Sequence, residues 1–158
     1  MFRRVCGRMR RRQAAGWVAV GVLSAAVVVP GLLPADEGDI RDAVVSGAQD
    51  AGAAAQSARL VAQAQLDGRV TGPYRSAVLD DARERASEAV RVVLDCEVVG
   101  AEGVRLRDRA VPLLTEAVGA ITDAARAAGD GDRGGLADAV GRLVRVSRGL
   151  GEVGAEAA

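Results

Sequence analysis

The stretch LRDRAVPLLTEAVGAITDAARAAGDGD, residues 106–132, decides the fold, because a regular helical pattern is followed there by an explicit stop. Its apolar residues are separated by threes and fours, which places them on one face of an α-helix. They are Leu106, Ala110, Leu113, Ala117, Ile121, Ala124 and Ala128. Residues 129–132 have turn chemistry, with Asp132 placed to cap a following helix. Pro112 predicts that the regular helix begins near Asp108, since a proline is tolerated in a first turn.

Three further segments show the same spacing and predict three more helices. The first covers residues 39–66, and its stripe is mostly small: Ile40, Val44, Ala48, Ala51, Ala55, Ala58, Ala62 and Leu66. The second covers about residues 74–99, with the stripe Val78, Ala82, Ala86, Ala89, Val93 and Cys96. The last carries Leu136, Val140, Leu143, Ser147 and Leu150, after which we expect the helix to fray.

The connections between these segments contain residues that end and start helices. Gly68 is a natural helix stop, and Thr71 or Gly72 can cap the next helix. Pro73 then falls in its first turn, where proline is favoured. Residues 100–103, Gly-Ala-Glu-Gly, predict the next break.

The composition favours helices packed on helices. Phe2, Trp17 and Tyr74 are the three aromatic residues, so the core must consist of Ala, Val and Leu. We therefore predict an all-α protein in which residues 36–150 form an up-down four-helix bundle and residues 151–158 form a flexible tail. A three-helix bundle with one long kinked member is the alternative.

The amino-terminal region has the features of a membrane signal. Residues 13–35 are 23 residues without a charge, and about 20 helical residues cross a hydrocarbon core of about 30 Å. Six arginines precede Gln13, whereas the remainder carries 15 arginines and all 21 acidic residues. Because a basic flank stays cytoplasmic, we predict a cytoplasmic tail over residues 1–12, a transmembrane helix over residues 13–35 and an extracytoplasmic bundle.

The apolar segment has two possible fates, retention as an anchor or removal as a signal. A secretory signal ends in a small-residue cleavage site of the A-x-A type. Before Asp36 stand Leu33, Pro34 and Ala35, which offer a small last residue but a bulky residue two positions earlier. The sequence therefore predicts a single-pass anchor in the cell membrane, with secretion after cleavage near Ala35 as the alternative.

Two stretches resemble a group of bacterial proteins. LDGRVTGPYRSAVLDDARERA, residues 66–86, and LRDRAVPLLTEAVGAITDAARAAGDGD, residues 106–132, are similar to sequences in uncharacterised, membrane-anchored helical-bundle proteins of high-G+C Gram-positive bacteria. The resemblance spans about half of the chain, and its motifs are mainly structural. It implies an anchored helical bundle and brings no activity or site residue with it.

The residue types argue against metal, haem and catalytic sites. Because the chain has no His, it lacks the Glu-x-x-His ligands of di-iron bundles, the usual axial ligand of haem and the common general base. The sequence Asp130-Gly131-Asp132 begins like a calcium loop, but Gly134 and Gly141 stand where oxygen ligands are needed. We predict no catalytic, cofactor-binding or metal-binding residue, no cofactor and no enzymatic activity.

Two features of the body, residues 36–158, invite functional interpretation. Asp80, Asp81 and Glu84 form a carboxylate cluster, which we assign to the first turns of a helix, where acidic side chains complement the dipole. Cys96 lies on an apolar stripe and is predicted to be packed. An exposed Cys96 would instead allow a disulfide between two molecules, because the body holds no second cysteine.

Arginines mark one side of two helices and are predicted to be solvated faces. They are Arg105, Arg107 and Arg109 in the third helix, and Arg142, Arg145 and Arg148 in the last. The body has a net charge of −6 and lacks a set of stacking aromatics, which argues against nucleic-acid binding.

The sequence predicts the location of the protein in more detail than its molecular function. The expected partners are the membrane, crossed once, and an envelope protein or a second copy of this chain. The predicted role is structural or one of protein interaction. The alternatives are a secreted bundle that binds a small apolar ligand in a Val- and Leu-lined cavity, and an accessory subunit of an envelope enzyme or transporter.

Overall fold

The computed structural model describes residues 37–158, which form four helices: α1 (Glu37–Leu66), α2 (Gly72–Asp95), α3 (Gly100–Asp130) and α4 (Arg133–Ala157). This part of the chain contains no strand, so the prediction of an all-α four-helix protein is confirmed for it. The predicted cytoplasmic tail and transmembrane helix, residues 1–12 and 13–35, lie outside the described residues. None of the four described helices combines the length and apolar character required to cross a bilayer.

Helix α1 is the central element, and its predicted stripe forms its buried face. Seven of the eight stripe residues are buried, and the eighth, Leu66, packs against the core from a partly exposed position. Because most of these side chains are alanines, neighbouring backbones can approach closely. Helix α1 therefore packs against α2, α3 and α4, whereas α2 packs against α1 and α3 only.

The connections are short, and contacts at both ends of the bundle show that consecutive helices are antiparallel. Gly68 and Gly131 adopt left-handed conformations, with φ of 68° and 73°, that follow the ends of α1 and α3. Asp132 caps α4 as predicted, since its carboxylate accepts a hydrogen bond of 3.0 Å from the backbone N–H of Gly135. Arg133, the first residue of α4, donates to the carbonyl of Leu66 at 2.8 Å.

The predicted start of the third helix is wrong. Helix α3 begins at Gly100, and Pro112 lies inside it instead of in its first turn. The break predicted over residues 100–103 lies at residues 96–99, because α2 already ends at Asp95. Gly103 is helical, and a Cβ there would lie 3.1 Å from both Ile40 Cγ2 and Val98 Cγ1, so this glycine allows close packing and does not form a turn.

The predicted fraying after Leu150 is also wrong. Helix α4 continues to Ala157, and Val153 and Ala157 are buried. A Cβ at Gly154 would lie 3.3 Å from the Ala48 Cβ, so the end of α4 packs closely on α1. The final residues therefore belong to the bundle and not to a flexible tail.

The core is apolar throughout the described residues, with no buried polar or charged side chain. Its largest fully buried side chains come from all four helices: Ile40, Leu79, Leu114, Ile121, Leu143 and Leu150. Leu114 takes the buried position that the spacing assigns to Leu113, which is partly exposed and packs near Gly149. Burial of such side chains, at roughly 1.5–3 kcal/mol each, is the main term that stabilises the bundle.

Candidate functional site

A groove of about 390 Å³ lies between α1 and α2 and is the first candidate for a binding surface. Alternate turns of the two helices form its walls, and small side chains form its base. The lining residues are Ser46, Gly47, Asp50, Ala53, Asp81, Glu84, Arg85, Glu88, Ala89 and Val92.

The base of the groove is shaped by a close approach of the two backbones. A Cβ placed on Gly47 would lie 3.1 Å from Val93 Cγ2 and 3.5 Å from the carbonyl oxygen of Ala89. No larger residue fits at position 47 without displacing Val93. The missing side chain at Gly47 and the short one at Ala89 therefore leave the depression that the surrounding charged residues enclose.

The walls of the groove are predominantly acidic. Asp50, Asp81, Glu84 and Glu88 contribute four carboxylates against one guanidinium, that of Arg85. Arg85 Nε lies 3.1 Å from Asp81. Glu88 pairs with Arg91 on the same helix. Within residues 37–158, Asp50 and Glu84 form no ion pair, so the groove presents unneutralised negative charge to the solvent.

The prediction that the carboxylate cluster complements the dipole of its helix is wrong. Helix α2 begins at Gly72 and has no acidic residue in its first turn, so Asp80, Asp81 and Glu84 lie too far along it to complement its dipole. Asp80 instead lies 3.6 Å from Arg83, and Asp81 pairs with Arg85 one turn later. The cluster therefore consists of solvated intrahelical ion pairs and one wall of the groove.

A second, smaller depression of about 230 Å³ lies between α3 and α4 near their connection. Asp123 is bound there by two guanidinium groups, Arg126 at 2.7 Å and Arg142 from α4. Asp130 and Asp132 belong to the sequence that begins like a calcium loop, but Asp132 is used as the helix cap. Among the described residues, no group of three or more possible ligands is arranged to hold a metal ion.

The basic faces are partly neutralised by ion pairs between helices. Arg109 in α3 pairs with Glu156 in α4, and Arg142 in α4 pairs with Asp123 in α3. These contacts agree with the interpretation of the arginines as solvated side chains that complement acidic neighbours. The Arg109–Glu156 pair is about half exposed and the Arg142–Asp123 pair is partly buried. Ion pairs with this degree of contact with solvent are worth on the order of 1 kcal/mol or less.

One end of the bundle brings together the start of α1, the α2–α3 connection and the start of α3. Arg41 pairs with Glu102, and the close packing of Gly103 with Ile40 and Val98 joins the same three segments. We call this the entry end, because α1 begins there. Three exposed apolar side chains lie in or beside its connection: Leu94, Val99 and Val104, which are 53%, 37% and 40% exposed.

Cys96 lies at the entry end, in the connection and not in helix α2. It is partly exposed and packs against the core, and its thiol lies 3.7 Å from the carbonyl oxygen of Glu97. Burial raises the pKa of the Cys96 thiol, and the nearby carboxylates of Asp39 and Glu97 raise it further. Because the thiolate is the reactive form, this direction of shift disfavours reaction of Cys96 near neutral pH. The predicted packed thiol is confirmed in part, since Cys96 packs against the core from a partly exposed position.

Comparison with known proteins identifies no relative of this chain. No protein-family model, curated protein or solved structure matches it.

No site residue is predicted from the sequence, and the apolar pattern does not reveal the groove. The apolar stripes mark the buried faces of the helices, whereas most of the groove is lined by the positions beside those stripes. The lining residues nevertheless show helical spacings of three and four residues. On α1 they are Ser46, Asp50 and Ala53. On α2 they are Asp81, Glu84, Glu88 and Val92, with Arg85 beside them. Pairing these two mixed stripes requires knowing that α1 and α2 are adjacent and antiparallel.

Proposed function

We propose that this protein is a single-pass membrane protein whose extracytoplasmic helical bundle has a structural or protein-interaction role. One observation carries the proposal: 23 uncharged residues follow a segment with six arginines and precede a body of net charge −6. One arginine at the bilayer centre costs roughly 3 kcal/mol, so the basic segment stays on the cytoplasmic side. The body then lies outside.

The groove between α1 and α2 supports the interaction role. Its acidic walls and its base of Gly47 and Ala89 suit a partner that brings a basic, narrow segment, such as an exposed arginine- or lysine-rich helix. The secreted ligand-binding alternative requires a different feature, an enclosed cavity lined by Val and Leu. A groove lined by five ionisable side chains does not meet that requirement.

Cell fractionation with mass measurement of the native protein tests the anchor. We expect a full-length chain that begins at Met1 and sediments with the membranes. Leu23→Arg, which puts a charge near the middle of residues 13–35, is expected to reduce the membrane-bound fraction. Leu60→Arg adds the same charge at a 58% exposed position of the body and is expected to leave fractionation unchanged. A soluble product that begins at Asp36 would contradict the anchor and favour secretion.

Photo-crosslinking in intact cells tests the interaction role. A crosslinking residue at Ala53, in the groove, is compared with one at Thr115, an exposed position of α3 outside it. Adducts that form from position 53 and disappear when Asp50 and Glu84 are changed to Arg support a basic partner in the groove. Equal adducts from both positions would contradict it.

A further inference from the structure

The exposed side of α4 has the chemistry that the groove between α1 and α2 suits in a partner. Successive exposed or partly exposed residues of this helix are spaced by threes and fours, which places them on one side. We call them the outer face of α4: Ala137, Gly141, Arg145, Arg148, Gly151 and Ala155. Four of the six are glycine or alanine, so the two arginines are the only long side chains of a narrow surface.

The outer face is basic, and its charge is not neutralised within the bundle. Residues 139–151 hold three arginines and no acidic residue. Arg142 pairs with an aspartate of α3, but Arg145 and Arg148 are exposed and form no ion pair among residues 37–158. A Cβ added to Gly141 would lie 3.7 Å from Nη1 of Arg145, so this guanidinium group lies along the surface of α4. The outer face therefore offers two unpaired guanidinium groups on a narrow helix.

The arginines at the start of α3 lack this property. Arg105 and Arg109 line a depression together with Glu102, Asp108 and Glu156. Arg109 pairs with Glu156 across the α3–α4 contact. Because acidic side chains outnumber the arginines there, this region offers no net positive charge to an acidic partner.

The outer face of α4 and the groove are on opposite sides of the bundle. Helix α4 packs against α1 and α3, and α2 packs against the same two helices. Helices α2 and α4 do not contact each other, so they occupy opposite corners. The outer face of one chain therefore cannot enter the groove of the same chain, and a contact between the two surfaces requires a second molecule.

The contact between α1 and α4 fixes the level of the arginines along the bundle. A Cβ added to Gly154 would lie 3.3 Å from the Cβ of Ala48, so these residues are at the same level. Helices α1 and α4 are antiparallel, and each residue advances 1.5 Å. Counted from the level of Ala48 toward the end of α1, Arg148 lies about 9 Å further and Arg145 about 13 Å further.

The carboxylates of the groove lie at nearly the same level. A Cβ added to Gly47 would lie 3.5 Å from the carbonyl oxygen of Ala89, so these two residues are level with each other. In the same direction, Asp50 lies about 4 Å beyond them, Glu84 about 7 Å and Asp81 about 12 Å. Two copies that stand side by side in the same orientation therefore bring the two arginines and the acidic walls together without a shift along the bundle.

We propose that the groove between α1 and α2 binds the outer face of α4 of a second copy of this chain. This inference rests on the proposed interaction role of the groove and names the partner. Opposite charges on the two surfaces select this pairing, and guanidinium groups bind carboxylates with strong, directed hydrogen bonds. Because each copy offers one groove and one outer face, the contact is heterologous, and the assembly grows into rings or rows instead of closing as a pair.

Photo-crosslinking between two copies of the full-length chain, expressed together with different tags, tests this assembly. The first copy carries a crosslinking residue at Ala53, in the groove. We expect an adduct with the mass of two chains that holds both tags. The crosslink should map to residues 137–155 of the second copy, and a crosslink elsewhere in that copy would overturn the proposed orientation of the contact.

Charge reversals identify the two surfaces. Asp50→Arg with Glu84→Arg reverses the groove in the first copy, and Arg145→Glu with Arg148→Glu reverses the outer face in the second. Each pair of substitutions alone should abolish the adduct that holds both tags, because like charges then face each other. The two pairs combined should restore it, which also shows that both variants are folded.

The control reverses two exposed arginines outside both surfaces, Arg83→Glu with Arg105→Glu in the second copy, and should leave the adduct unchanged. Absence of the adduct between copies, or failure of the combined reversals to restore it, overturns the self-association. If position 53 then still forms adducts with another protein that depend on Asp50 and Glu84, the interaction role of the groove stands with a different partner. A position 53 that forms no such adduct with any protein overturns both proposals.

Discussion

Helices α1 and α2 are both rich in alanine, yet they have different positions in the bundle. Helix α1 buries a continuous stripe of mostly small residues and packs against all three other helices. Helix α2 buries five residues, packs against two helices and exposes Tyr74, Val92 and Leu94. Because α2 has neighbours on two sides only, part of its surface is left exposed. That exposed surface makes α2, and not α1, the helix that is able to meet a partner.

The largest expected effect concerns the large core residue of the peripheral helix. Leu79 is 2% exposed, and Leu79→Ala is expected to lower the free energy of unfolding by about 2–5 kcal/mol, through lost burial and a new cavity. Leu94→Ala removes the same atoms from an exposed position of the same helix. This substitution should change the free energy of unfolding by less than about 0.5 kcal/mol. Urea unfolding followed by circular dichroism measures both. Equal losses would mean that α2 is not packed as described.

An enlargement in the central helix is expected to have the next largest effect. Ala55 is fully buried, so Ala55→Leu introduces three carbons where no space exists and should destabilise the bundle by roughly 1–3 kcal/mol. Ala53→Leu makes the same change two residues earlier, on the exposed groove side of α1, and should be nearly neutral. The midpoints of thermal unfolding compare the two variants. A neutral Ala55→Leu would contradict close packing around α1.

Replacing either of two glycines of α1 by alanine is expected to change the stability by a smaller amount, and the sign depends on the position. A Cβ at Gly52 meets nothing within 4 Å, so Gly52→Ala should stabilise the helix by about 0.5–1 kcal/mol. A Cβ at Gly47 would lie 3.1 Å from Val93 Cγ2, so Gly47→Ala should lose some or all of this gain. The same unfolding measurement decides between them. Equal stabilisation by the two substitutions would show that α1 and α2 are further apart than described.

The smallest effect is on reactivity and tests whether the end of α2 is held against α1. Because burial and the carboxylates of Asp39 and Glu97 raise the pKa of Cys96, the folded protein keeps the thiol protonated to higher pH than the unfolded chain does. In a Cys6→Ser background, alkylation of Cys96 near neutral pH should therefore be slower in the folded protein than in the urea-unfolded chain. The alkylation rate of the folded protein should also begin to rise at a higher pH. The contribution of Cys96 to the free energy of unfolding is fully present below the ordinary thiol pKa. It is lost as the pH rises through the higher pKa of the folded state. Identical pH profiles in both states would mean that the connection is loose.

The helices were predictable to the extent that buried faces leave a periodic signal. The stripe of α1 and the cap at Asp132 could be read directly, because apolar spacing and a capping side chain are local properties. The start of α3 was missed because Gly103 looks like a turn residue in sequence, while its function is to admit Ile40 and Val98. The contact with Ile40 joins residues more than 60 positions apart, and no local pattern contains it.

The end of α4 illustrates a different limit. Leu150, Val153 and Ala157 continue the spacing of threes and fours, but the surrounding Gly and Ala suggest weak helix propensity. Packing against α1, seen at Gly154 and Ala48, overrides that propensity. The groove was unpredictable for a related reason, since it exists only where two mixed stripes on separate helices meet.

The length of α1 has a geometric consequence for any partner. Its 30 residues extend about 45 Å, and the groove residues Gly47 to Ala53 lie about 15–24 Å along it. The groove therefore lies in the middle third of α1, nearer to the entry end than to the opposite end, which holds Tyr74 and the α3–α4 connection. A docked segment longer than the groove would reach one of these two ends as well.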